Sequence, residues 1–325
     1  MDPQSATPSS PAIDVFVAAS IARRFYLENR SKSEIADEFL MSRFKVARIL
    51  ADAVSQGIVQ IDITVPVKID VELSLALKER FGLSYVTVID HCQDVRKMPP
   101  DELVRWLGAA AARLISDLID EGDVLGLAWG RSVEALGKAI TKLAPCQVVQ
   151  LTGSHPDHWD CDESVSAVLR AAAAGGGAAY PLHVPLLVPN ELTAAILGRQ
   201  PGIAATLAQF PQVSKAVVEI GAWAPGLSTV YDVLTERERE RYRDLGVCAE
   251  MCGHLFDTHG NVLPTELNDR VISIGVEDLR RVPDVIGVAG DVGKTEAICT
   301  ILRSGLLTGL VTDGSVARRI LSSPV

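Results

Sequence analysis

The sequence predicts an α/β fold in two parts: a small, mainly helical domain over residues 13–66 and a much larger one over residues 67–325 in which strands and helices alternate. Three observations predict it. The chain has 325 residues, more than one compact core usually holds. Apolar residues recur at helical spacing as far as Gly57. Beyond Pro66, short branched apolar runs are separated by helical patterns, which is how a largely parallel sheet reads in sequence.

Composition narrows the class. The chain is 48% hydrophobic and 22% charged with 5% aromatics, which fits a packed globular protein and excludes a disordered or fibrous one. Apolar runs such as Leu107 to Ile115 are broken by charge before the roughly 20 residues a membrane span needs, and no basic-then-apolar leader opens the chain. Neither secretion nor membrane insertion is expected. Six cysteines without a CxxC pair imply reduced thiols and a cytoplasmic setting. The net charge of −10 disfavours the whole molecule as a nucleic-acid binder but leaves room for a small, locally basic reading module.

Residues 1–12 are rich in Pro and Ser and form an expected flexible tail. A first helix follows from the Val17, Ile21, Phe25 stripe. Ser33 is the expected cap of a second, short helix burying Ile35, Ala36 and Phe39. Ser42 is the expected N-cap of a third, which buries Val46, Ile49, Leu50 and Ala53 and turns Arg43, Lys45 and Arg48 outward. Gly57 ends it, and the alternation Val59, Ile61, Ile63, Val65 predicts a strand stopped by Pro66. A bridging helix carries Ile69, Leu73, Leu77 and Phe81. Strands are then expected at Tyr85 to Ile89, Val124 to Ala128, Val148 to Leu151, Ala216 to Ile220, Val271 to Ile274, Val285 to Ala289 and Leu310 to Val311. Helical patterns lie at Leu103 to Ile119, Val165 to Ala174 and Thr295 to Leu302.

A short helix, a tight turn and a helix with a basic outer face is how a helix-turn-helix presents its reading helix to the major groove. From Arg23 to Arg48 there are seven basic residues, Arg30 and Lys32 among them, against four acidic ones, a local balance of +3. Phosphate contact supplies most affinity for DNA, so this local excess outweighs the acidic total. Arg43, Phe44, Lys45 and Ala47 occupy the first exposed turns of the third helix, where side chains reach base edges. Spacing alone equally allows a plain three-helix bundle with a solvated basic face.

In the larger domain, ligands are expected beyond the carboxyl ends of the strands. Gly126 to Val133 is a strand running into a glycine turn that opens a helix, where backbone N–H groups, Ser132 and Arg131 can hold a phosphate. Val149 to Ser154 is a parallel case. Gly287 to Thr295 approaches a P-loop, but that motif needs glycine at 288, where Val288 stands; Lys294 remains suited to a phosphate or sugar oxygen. In Cys248 to Asp257, Glu250 can accept from sugar hydroxyls or be an exposed loop carboxylate. His155, His158 and Cys161 with Asp157, Asp160 and Asp162, and Cys248 with Cys252 and His254, have metal-ligand chemistry but no recognised spacing. No metal site, cofactor or catalytic residue is assigned.

The stretch SKSEIADEFLMSRFKVARILADAVSQGIVQIDI resembles the DNA-binding segment of the SorC family of bacterial sugar-responsive transcriptional regulators. That family often has a glycine in the turn that here reads Phe39-Leu40-Met41-Ser42, so a positive φ there would carry strain. Residues 73–321 resemble the family's effector domain through GLAWGRSV, VVQLTGS, YPLHVPLLVP, GVCAEMCGHLFDTHGNVL and the long stretch from Arg270 to Asp313. The resemblance implies a Rossmann-like domain similar to ribose-5-phosphate isomerase and glucosamine-6-phosphate deaminase. The DNA contacts expected of this segment are Arg30, Lys32, Ser33, Ser42, Arg43, Phe44, Lys45, Ala47 and Arg48. The resemblance places contacts to a sugar, polyol or sugar phosphate on Gly130, Arg131, Ser132, Gly153, Ser154, Glu250 and Lys294. Asp291 stands where a glycine is frequent, and its charge beside Lys294 would disfavour a doubly anionic phosphate. The expected partners are a palindromic operator, the effector and further copies of the chain in a dimer or tetramer, with the bridging helix as a subunit contact. The competing class is a sugar-phosphate isomerase or deaminase with Glu250 or Asp257 as base and Lys294 as electrophile.

Overall fold

The computed structural model describes residues 15–60, 68–90, 99–154 and 163–322. The chain divides into two compact units, residues 1–66 and 67–325. In the first, α1 (Val15–Tyr26), α2 (Lys32–Glu38) and α3 (Arg43–Ser55) close around Ile21, Ile35, Val46, Ile49 and Leu50. Helix α2 starts two residues earlier than expected: Ser31, not Ser33, is its cap, in a capping box where the Ser31 hydroxyl accepts from Glu34 N and the Glu34 carboxylate accepts from Ser31 N. Ser42 caps α3 as expected, accepting from Lys45 N. The turn between α2 and α3 does require a positive φ, which Leu40 adopts at +53° with its side chain in solvent. Ile61, Ile63 and Val65 of the expected strand lie outside the described residues, as does the tail.

The second unit begins with β1 (Lys68–Ile69), α4 (Val71–Phe81), β2 (Tyr85–Asp90), α5 (Pro100–Leu118), β3 (Val124–Leu127), α6 (Arg131–Ala139), β4 (Gln147–Gln150), α7 (Glu163–Gly175) and β5 (Ala179–Tyr180). It continues through α8 (Glu191–Gly198), α9 (Pro201–Leu207), β6 (Lys215–Glu219), β7 (Gly221–Ala222), α10 (Thr229–Val233), α11 (Glu236–Asp244), β8 (Val247–Met251) and β9 (His254–Asp257). It ends with α12 (Val276–Leu279), β10 (Asp284–Val288), α13 (Thr295–Arg303), β11 (Gly309–Asp313) and α14 (Gly314–Ser322).

Among the described residues eight strands form one sheet in the order β1-β2-β11-β10-β6-β3-β4-β5, of which only β1 is antiparallel to its neighbour. Both faces are covered, so the strands are apolar runs rather than alternations. Val217, Ile286 and Val311 point to one core with α5, α6 and α7; Val218, Val285 and Leu310 point to the other with α4, α13 and α14. From β3 the chain moves outward through β4 and β5, whereas from β6 it moves the opposite way through β10 and β11. The gap beyond the carboxyl ends of β3 and β6 is therefore a topological switch point, where such sheets hold ligands.

A small antiparallel sheet, β7-β8-β9, stands beside it. Its hairpin turns on Cys252 and Gly253, both at positive φ (+54° and +80°), the geometry of a two-residue loop whose twist matches its strands. The strand expected at Val271 to Ile274 is not one: Val271 and Ser273 make isolated bridges to Leu187 and Thr152, because this stretch crosses the strand ends instead of joining the ladder. At the amino ends of β3, β6 and β10, Lys215 lies 3.3 Å from Asp123 and 3.4 Å from Asp284, tying three strands together.

Candidate functional site

A cavity of about 360 Å³ opens at the switch point, a volume suited to a small ligand. One wall comes from the turn between β3 and α6, with Trp129, Gly130 and Arg131; a second comes from the end of β6 with Glu219; a third from the small sheet with Glu250. Lys294, in the single 3-10 turn between β10 and α13, closes the floor.

Glu219 organises this arrangement. Its Oε2 accepts from Ser132 N, in the first turn of α6, at 3.0 Å, and its Oε1 lies 3.2 Å from Lys294 Nζ. Both members of the ion pair are largely buried, with side-chain exposures of 7% for Lys294 and 14% for Glu219. The close approach depends on Gly130: a Cβ there would fall 2.2 Å from Glu219 Oε2.

Glu250 forms a second acceptor. It is a buried strand residue and not an exposed loop carboxylate, since β8 pairs it with Gly221. Its Oε1 accepts from Gly253 N at 2.6 Å and its Oε2 from Ser228 Oγ at 3.2 Å. Burial pushes its pKa up to about 7, against the opposing pull of those hydrogen bonds and of Lys294. Near neutral pH it can therefore both donate and accept.

Of the effector residues expected from the sequence, Gly130, Arg131, Glu250 and Lys294 line the cavity, while Ser132 is buried behind it with its backbone N–H on the lining carboxylate Glu219. Gly153 and Ser154 do not. Gly153 N donates to Ile272 O, and a Cβ at 153 would meet Pro185 backbone at 2.6 Å; Ser154 N donates to Val184 O and its hydroxyl pairs with Ser164. These two hold neighbouring chain segments together. Thr152 is the lining residue from that loop, accepting from Trp129 N at 2.7 Å.

Asp291 also differs from expectation. It adopts φ +83° and its carboxylate turns to Gly293 N at 2.8 Å, so the anion beside Lys294 is Glu219. Asp257 does not line the cavity: it organises the turn after β9 by accepting from Asn261 and from His259 N, bonds that hold its carboxyl below the usual range. Glu219, Ser228 and Thr152 were not anticipated. The signal for Glu219 is a carboxylate inside the apolar run from Ala216 to Ile220.

The two metal-like clusters fare as follows. His155, His158, Cys161 and their aspartates lie outside the described residues. Cys248 Sγ pairs with Thr300 and His254 Nε2 with Ile274 O, so these side chains do not converge. Among the described residues no cluster of three metal-binding side chains occurs.

In the amino-terminal unit, Ser33, Ser42, Arg43, Phe44, Lys45 and Arg48 are exposed and Ala47 is half-buried. Glu38 pairs with Arg24 at 2.6 Å and with Arg30, and Lys32 lies 5.3 Å from the Phe25 ring centre. Arg30 and Lys32 are thus partly committed within the unit, whereas the α3 cations stand in solvent. Among the described residues no helix is long and apolar enough to cross a membrane.

A doubly covered parallel sheet with a polar cavity at its switch point defines a ligand-binding α/β domain, and residues 65–322, which contain it, match the model of the family described as "Putative sugar-binding domain". The chain belongs to that family, and over nearly its whole length it is similar to transcriptional regulators, the sorbitol operon regulator of Klebsiella pneumoniae among them. It is 29% identical over 303 residues to the "Uncharacterized transcriptional regulator YjhU" of Escherichia coli strain K12, covering 92% of each chain. It is 26% identical over 319 residues to the erythritol catabolism regulatory protein EryD of Brucella abortus strain 2308, covering 96% of this chain and 98% of that one. The crystal structure of the full-length sorbitol operon regulator SorC from Klebsiella pneumoniae shares the fold, with a TM-score of 0.69 at 23% identity over 95% of this chain and 99% of that chain.

Proposed function

We propose that this protein controls transcription of a carbohydrate or polyol operon, binding a palindromic operator through α1–α3 as a helix-turn-helix and sensing a small sugar, polyol or sugar phosphate in the cavity. The observation that carries the DNA-binding half is the start of α3, where Ser42 caps a turn presenting exposed Arg43, Phe44 and Lys45 while the acidic Glu38 is spent on Arg24 and Arg30. That is the geometry of a reading helix whose first residues meet base edges. Named relatives that regulate erythritol catabolism and a sorbitol operon support the sensing half. A Rossmann-like effector domain similar to the isomerases and deaminases is part of this reading, as is a homo-oligomer, because one small head makes too few contacts for useful specificity. Of the enzyme alternative's groups, Glu250 lines the cavity but Asp257 does not and Lys294 is paired with Glu219; the relatives named as transcriptional regulators favour the regulator reading.

The test is a gel shift on genomic operator fragments with an Arg43→Ala, Lys45→Ala double variant. Loss of two contacts of about 1–3 kcal/mol each should weaken binding by roughly 30-fold or more and flatten the salt dependence by about two counterions. An unchanged isotherm and salt slope would remove α3 as the reader.

A further inference from the structure

This inference rests on the effector-sensing reading above. A phosphate in this cavity would be recognised by the amide at the start of α6 and by the buried lysine. Both are already committed to one carboxylate: Ser132 N donates to Glu219 Oε2 at 3.0 Å, and Lys294 Nζ sits 3.2 Å from Glu219 Oε1. The fit is built in, since only the missing side chain of Gly130 lets Glu219 enter, a Cβ there falling 2.2 Å from Oε2. The second buried carboxylate, Glu250, faces the same space from the small sheet, with Asp232 also on the lining. An incoming phosphate dianion would meet like charge at this seat, with the Ser132 amide and Lys294 already engaged and exposed Arg131 the remaining cation on the lining, whereas hydroxyl groups would find carboxylate acceptors and the Thr152 and Ser228 hydroxyls.

We infer that Glu219 occupies the phosphate seat as an internal anion, and that the cavity consequently selects an unphosphorylated polyol over its phosphate ester. The half-protonated state that burial gives Glu250 near pH 7 suits such a ligand, because a carboxyl can then donate to one sugar oxygen and accept from another.

The experiment is a titration, by calorimetry and thermal shift at pH 7.5, of the full chain and of Glu219→Ala and Glu219→Gln with erythritol, erythritol 4-phosphate, D-sorbitol, D-sorbitol 6-phosphate and inorganic phosphate. The full chain should prefer a neutral member over its phosphate ester by at least tenfold. Glu219→Ala should gain at least tenfold in affinity for phosphate or a phosphate ester. Glu219→Gln keeps an acceptor for Ser132 but removes the charge, and should gain in the same direction; it decides the question if the alanine variant does not fold. A phosphate ester bound by the wild type as tightly as its parent polyol overturns the inference. So does the absence of any gain in the variants, including the case where none of the five compounds binds the wild type. Operator binding is scored on the same preparations. Polyol selectivity without DNA binding would remove the regulator reading and leave this one, and DNA binding with phosphate preference would do the reverse.

Discussion

In a Gly130→Ala variant the added methyl carbon would lie 2.2 Å from Glu219 Oε2 and 2.7 Å from its Cβ, well inside contact distance. The carboxylate has to leave. Overpacking of this kind costs about 1–3 kcal/mol. Expelling Glu219 also strips a buried lysine and the Ser132 amide of their shared acceptor, for which the full penalty of about 3–5 kcal/mol in a sealed interior is reduced here because water can follow into the cavity. A total of about 3 kcal/mol is expected, or a fall of roughly 6–12 °C in melting temperature for a domain of this size. Gly130 also has φ +157°, so part of the cost belongs to the backbone and would remain in any background. A double-mutant cycle with Glu219→Gly isolates the clash, and the coupling read by urea unfolding should exceed about 1.5 kcal/mol. A Gly130→Ala penalty of the same size with and without Glu219 would refute the assignment of Gly130 as the residue that admits the carboxylate.

Two further perturbations test the electrostatics. Glu250 has its folded pKa raised to about 7 by burial, above its unfolded value near 4.5, so the unfolded chain binds fewer protons between these values and stability falls as pH rises through that window. Glu250→Gln should abolish this loss, which amounts to about 3 kcal/mol between pH 4.5 and 7; urea titrations in which wild type and variant lose the same stability between pH 5 and pH 8 would contradict the burial argument. At the opposite end of the sheet, burial would raise the Asp123 carboxyl but is outweighed by hydrogen bonds from Asp120 N, Ser214 and Lys215, which hold it low. Lys215→Met leaves Asp123 and Asp284 facing each other and should cost about 2–4 kcal/mol at pH 7, shrinking as the pH falls through the lowered Asp123 value; a variant as stable as wild type in thermal unfolding at pH 7 would exclude that triad as a tie.

Local chemistry made much of the fold legible. Stripes such as Val46, Ile49, Leu50 and Ala53 fixed the face α3 buries, and branched apolar runs located β2, β3, β4, β6, β10 and β11 to within one or two residues. Very short strands such as β5 and β7 carry too few residues to show a period, and Val271 to Ile274 has a strand's composition without a strand's neighbours. The site was legible where a turn announces itself, as at Gly130 to Ser132 and Lys294. It was hidden where non-local pairing decides. Glu219 belongs to the cavity only because β6 lies beside β3, a juxtaposition of residues some ninety positions apart that no spacing reveals. Gly153 and Ser154 resemble Gly130 and Ser132 in composition, but a crossing segment, not open space, lies beyond their strand.

The two sides of the cavity differ in how freely they can change over generations. Glu219 ends a strand hydrogen-bonded on both sides, paired to Val288 in β10 and, two residues earlier, to Leu127 in β3. A shift of one position there would turn every neighbour to the wrong layer, so descendants can alter that wall only by exchanging the residue itself. The facing wall follows the exposed Pro225-Gly226 turn between β7 and α10, where insertions and deletions are tolerated, with Ser228 capping α10 and Asp232 inside it. Paralogues with new diets would thus keep one wall's scaffold and vary its single acid, while the facing wall drifts in length.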